Sequence, residues 1–208
     1  MKKILYSALT LILGLVLSSS GCTHDTIDPA LFDEGVEING VIWATRNVGE
    51  FGKFVANETD AGMFYQWNRK TGWSASVTPV PSGAVWNSTG DEGATAWADA
   101  NNPCPTGWTF PTLSQTESLK GVTTSWRSDP KGRVFGDGVK VLFIPIVGGE
   151  VTGSGTFNVR LNDCHYWTSD EDGTYAVKTL YISNSYAFFD GGGSSTKNYG
   201  LPIRCVKK

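Results

Sequence analysis

Cys164 and His165 are adjacent, and nowhere else in the chain do a thiol and an imidazole stand side by side. Such a pair is raw material for a nucleophile or a soft metal site, but either use needs further partners. The sequence offers none. The other histidine, His24, lies near the N-terminus, and there is no C-x-x-C, H-E-x-x-H or phosphate-loop pattern. Beside Tyr166 and Trp167, His165 reads as a packed histidine rather than a base. No G-x-S-x-G elbow is present, and Gly153–Gly155 ("GSG") does not make one. Asp170–Gly173 ("DEDG") begins like a calcium loop, but Tyr181 occupies the final position, where a glutamate is required. It reads as an acidic hairpin turn. The 20 acidic side chains single out no pair of the kind a glycoside hydrolase uses. The expectation is therefore no catalytic residue, no metal ligand and no cofactor.

Aromatic side chains are the other chemical resource. Sugars present flat C–H faces that stack on indole rings, and loops carry such platforms. Trp73, Trp86 and Trp97 lie on residues 69–101, a long irregular segment rich in Gly, Ser, Thr and Asn. They are the candidate ligand contacts, set against a core or segment-anchoring duty, which is the commoner use of a tryptophan.

These residues need a compartment and a scaffold. Lys2 and Lys3 precede an apolar run from Ile4 to Leu17, followed by "SSSGC". This pattern reads as a signal peptide over residues 1–21. Gly21-Cys22 resembles the lipobox of bacterial lipoproteins, although Ser19 stands where leucine is usual. Lipidation of Cys22 is expected, the alternative being plain cleavage that leaves a thiol at the mature end. Residues 22–35 then read as a lipidated tether, and the address as the outer membrane, surface-exposed or periplasmic. Removing residues 1–21 takes two of the 17 basic side chains and none of the 20 acidic ones, so the mature net charge is 15 − 20 = −5. That balance argues against nucleic acid or an anionic membrane as a partner. No later run is long and apolar enough to span a bilayer, which leaves the N-terminal lipid as the membrane link.

The full chain has 25 glycines, eight tryptophans and few charges, and the part after the tether reads as an α+β, β-rich domain. Asn39-Gly40 marks a hairpin inside "VEINGVIWATRNV". "GMFYQWN" is a short strand or helix that periodicity cannot decide. Thr112 and Gln115 fit a capping box, with Gly121 as the helix stop. Pro145 in "VKVLFIPIV" demands an edge or a bulge. "CHYWTSDEDGTYAVKTLYIS" holds two strands joined at Asp170–Gly173, and "SYAFFD" and "LPIRCV" add two more.

In chain order, "INGVIWATRNVG", "GMFYQWN", "PCPTGWTFPT", "LFIPIVGG", "YWTSD" and "GLPIRCVKK" together resemble the Fibrobacter succinogenes major paralogous domain, found in exported bacterial lipoproteins. The resemblance covers residues 36–208. It implies a C-type lectin-like domain with paired terminal strands, short helices and long loops, in which "GVIWATRNV" and "LPIRCVKK" are neighbours. It implies that Trp43, Trp67, Trp108 and Trp167 are core. It also implies a disulfide between Cys104 and Cys205, leaving Cys164 as a buried thiol; spacing alone leaves Cys164–Cys205 open. The cysteine-dependent chemistry of formylglycine-generating relatives is not carried over. The expected function is a non-catalytic binding module for a glycan or surface protein. The alternatives are a glycan-active hydrolase and a structural component of a surface assembly.

Overall fold

The computed structural model describes residues 28–74, 86–88 and 96–208, with the backbone alone at 188–192. The strands are β1 (Val36–Ile38), β2 (Val41–Asn47), β3 (Met63–Gln66), β4 (Gly72–Ser74) and β5 (Trp108–Thr109). One short helix, α1 (Leu113–Thr116), follows. Then come β6 (Thr124–Ser128), β7 (Lys131–Phe135), β8 (Leu142–Pro145), β9 (Gly149–Val151) and β10 (Phe157–Val159). The chain closes with β11 (Asp163–Glu171), β12 (Ala176–Ser183), β13 (Ala187–Thr196), β14 (Gly200–Leu201) and β15 (Arg204–Lys207). The protein is β-rich and built from several antiparallel sheets, ordered β1-β2-β15-β5, β10-β9-β14-β3-β4, β11-β12-β13 and β6-β7-β8.

The terminal strands meet as expected. β15 pairs antiparallel with β2, setting Arg204 opposite Asn47 and Val206 opposite Trp43. Asn39 and Gly40, both at positive φ, close the tight β1–β2 hairpin. "GMFYQWN" resolves as the strand β3, because Tyr65 and Gln66 pair with β14. Pro145 lies on β8, an edge strand, where the missing amide costs no ladder bond. Pro202 and Ile203 interrupt the last strand: Pro202 accepts from the Trp167 amide and Ile203 from the Val48 amide. One short segment thus stitches three sheets together.

Two hydrophobic clusters fill the interior. One gathers Trp43, Phe64, Phe135, Ile144, Tyr166 and Leu180; the other gathers Tyr65, Trp67, Trp108, Phe110, Trp167 and Ile203. All four motif tryptophans are therefore core. The second cluster also encloses the Cys104–Cys205 disulfide. Cys164 is a free, buried thiol in the first cluster.

Three expectations are corrected. The helix expected from Thr112 to Gly121 is a single α turn followed by a 3-10 turn over Glu117–Leu119. The Thr112–Gln115 capping box forms, but the Thr116 hydroxyl bonds back to Leu113 and the chain tightens. This tightening turns Ser118 and Leu119 inward, and the Ser118 hydroxyl accepts from the Trp43 indole at 2.9 Å. The β11–β12 turn falls two residues later than expected, at Asp172–Tyr175, because β11 continues to Glu171. Finally, residues 28–35 are not a loose tether. Pro29–Leu31 form a 3-10 turn, and the buried Asp33 carboxylate accepts from Gly35, Thr45 and Arg46. The folded unit therefore begins by Asp28. Cys22 lies outside the described residues.

Candidate functional site

Three turns converge to form a cleft of about 440 Å³. The first joins β9 to β10 and contributes Thr152, Gly153 and Ser154. The second joins β11 to β12 and contributes Tyr175, which is 58% exposed. The third joins β13 to β14 and contributes Thr196, Asn198 and Tyr199.

Backbone bonds make each turn rigid. The Gly155 amide donates to Thr152 at 2.8 Å, and the Tyr199 amide donates to Thr196 at 2.9 Å. The Lys197 amide donates to Tyr175 at 2.9 Å, which ties the second turn to the third. Side-chain bonds fix the third turn. Asn198 donates to the Ser88 carbonyl at 2.8 Å and accepts from the Thr196 hydroxyl at 2.7 Å. Gly153 is required for this fit: a Cβ there would lie 2.4 Å from Nδ2 of Asn198.

The lining is neutral among the described residues. It presents hydroxyls, one carboxamide, backbone groups and two phenol rings. Lys197 sits between Thr196 and Asn198, but its amine turns inward to pair with Glu171 over the Trp67 ring. In the turn that carries Tyr175, the Asp172 carboxylate pairs with Lys178 at 3.0 Å. The cleft can therefore exchange hydrogen bonds with a polyol and pack an aromatic face on it. Its described walls offer no acid/base pair.

Of the three loop tryptophans, two meet. The Trp73 and Trp86 rings lie 5.8 Å apart, edge to face. Trp86 donates from its indole to the Gly153 carbonyl at 2.9 Å, so it holds the first turn of the cleft. Gln66 holds the neighbouring Asn87 backbone with both ends of its carboxamide and also donates to Asn198. Trp97 is corrected to a core role: it is 7% exposed, stacked on Phe110 at 4.6 Å, and donates to Asn101. Buried in that stack, it has no face to offer a ligand. The parts of the 69–101 segment at 75–85 and 89–95 lie outside the described residues.

Sequence reasoning missed the cleft residues themselves. In sequence, Gly153-Ser154 raises only the question of a nucleophile elbow, and Tyr175 follows the acidic turn without any sign of a site. Clusters of Gly, Ser, Thr and Asn mark turns, but they do not say which turns meet.

His165 is packed as expected. Its Nδ1 lies 2.8 Å from the Thr179 hydroxyl, and its ring centroid is 4.8 Å from that of Tyr181. Burial is the main cause that pushes its pKa down to about 4, with Arg160 adding to the fall and Asp163 opposing it. Its ordinary value is about 6.5. Between those values the unfolded chain binds a proton that the folded chain refuses, so stability falls as pH drops through that window. At most about 3 kcal/mol is at stake, reduced by solvent screening of the partly exposed ring. Chemical denaturation at pH 7 and pH 4.5 should show the loss, and His165→Gln should flatten that part of the profile. An unchanged slope in that variant would remove His165 as the cause.

Comparison with protein-family models, curated proteins and solved structures finds no match to this chain.

Proposed function

We propose that the protein is a non-catalytic module that binds a neutral glycan in the cleft between the three turns. The carrying observation is the lining: hydroxyls and a carboxamide fixed by internal hydrogen bonds, beside an exposed tyrosine, with the nearby charges turned away or paired. A hydrolase would need two carboxylates facing a common bond, and the described lining supplies neither.

The wider setting belongs to the same proposal. The chain is exported, lipidated at Cys22 and held at the outer membrane, facing the surface or the periplasm. The N-terminal sequence supports this, as does a disulfide suited to an oxidising compartment. Among the described residues no helix is long and apolar enough to cross a membrane. The domain is of the C-type lectin-like kind; the pairing of its terminal strands supports that reading.

A single aromatic stack contributes about 1 kcal/mol, so a lone site of this kind binds in roughly the micromolar to millimolar range. Many copies on one surface would multiply it by avidity. A glycan screen of the wild type should find a neutral ligand. Tyr175→Ala should then weaken binding about fivefold while leaving the melting temperature unchanged, because the ring is exposed. Binding of a protein partner that survives both Tyr175→Ala and Asn198→Ala would move the function away from the cleft. Turnover of a bound glycan would replace the binding reading with the hydrolase.

A further inference from the structure

Two bonded segments lie where the chain leaves the domain toward Cys22, and each carries exposed apolar side chains: Leu31 at 50% and Phe32 at 54% on one, Phe51 at 46% on the other. They do not belong to a free tail. The Phe54 amide donates to the Ala30 carbonyl at 2.7 Å, and Lys53 lies 3.7 Å from Asp28. Arg46 donates to the carbonyls of Pro29 and Phe32, and the Asp33 carboxylate beneath is buried. The two segments therefore form one stiff rim that holds apolar groups out in solvent.

We propose that this rim is a membrane-contact surface, resting on the lipid bilayer to which the chain is anchored. The proposal builds on the lipid-anchor reading of Cys22. Only six peptide units separate Cys22 from Asp28, a reach of about 20 Å when fully extended. A domain of this size has a radius of gyration of about 16 Å, so the tether is short against the domain it holds. The rim at the exit point is thus the part kept nearest the lipid. A short tether raises the local concentration of the rim at the bilayer to the millimolar range, so a few shallow contacts suffice. The side-chain types suit that boundary, with phenylalanine and leucine entering the headgroup region and Lys53 keeping its amine in water.

The test imposes the anchor chemically, so its failure is separate from failure of lipidation. The chain from residue 22 carries Cys22→Ser and a leading polyhistidine tag, bound to nickel-chelating lipid in zwitterionic phosphatidylethanolamine–phosphatidylcholine vesicles, so that the chain's net negative charge meets no added anionic lipid. Phe51→Cys carries an environment-sensitive dye; Cys164 is buried and does not compete for it. Spin-labelled lipid should quench the anchored dye about threefold more than the same protein left free beside tag-less vesicles. Leu31→Ser with Phe32→Ser should return quenching to the free value without lowering the melting temperature. Equal quenching in anchored and free protein overturns the proposal, as does quenching that ignores the serine substitutions. Shielding of the dye at high protein concentration without lipid would assign the rim to a second copy and also overturn it. Native protein that is not lipidated, with the anchored result intact, would sink the Cys22 reading alone.

Discussion

Replacing Cys104 and Cys205 together with serine lowers folding stability by about 4–5 kcal/mol and the melting temperature by about 10–20 °C. The bond joins positions 101 residues apart, so its loss returns a long loop to the unfolded chain. It ties the approach to α1 to β15, the strand that pairs with both β2 and β5. The surrounding backbone is already fixed: Asn102 accepts from the Cys104 amide at 3.1 Å, and Pro103 accepts from Gly52. Thermal unfolding of the double variant, against wild type with and without reductant, measures the effect. Reduced wild type should match the variant. A fall below about 1 kcal/mol would mean the cross-link constrains an already compact unfolded chain.

Asp33→Ala should cost about 3–5 kcal/mol, which corresponds to a fall of roughly 10 °C. The carboxylate is buried and receives the Gly35 amide, the Thr45 amide, the Thr45 hydroxyl and Nε of Arg46. Its removal leaves those donors unpaired and detaches the 28–35 segment from β2. Arg46→Ala should cost less, and the double variant should cost less than the sum, because both act on one network. Additive losses in the double-mutant cycle would show the two side chains to be independent.

The same residue shows where sequence reading stops. Local signals survived into the structure: the Asn39-Gly40 hairpin, the Thr112–Gln115 capping box and the edge position of Pro145. Each depends on the chemistry of a few consecutive residues. Sequence places Asp33 in the tether because its one local partner, the Gly35 amide, marks no more than a turn. Its partners Thr45 and Arg46 lie 12 and 13 residues away on β2 and become visible only once that strand is placed. The cleft is less legible still. Thr152, Tyr175 and Asn198 come from three separate turns, brought together by the order β10-β9-β14, the Lys197–Tyr175 backbone bond and the close approach of Asn198 to Gly153. Trp97 shows the opposite error. A polar neighbourhood suggested a loop platform, yet Phe110, more distant in sequence, stacks on its ring and closes it off.

The most direct test of glycan binding in the cleft is an amide-resolved NMR titration of the wild type with the tightest neutral glycan from the screen. Backbone amides of Gly153, Ser154 and Tyr175 and the side-chain amide of Asn198 should shift together and saturate with one dissociation constant. Amides in the separate groove around Asn39 and Lys140 should stay in place. Shifts confined to that groove, or none at saturating glycan, would contradict the account.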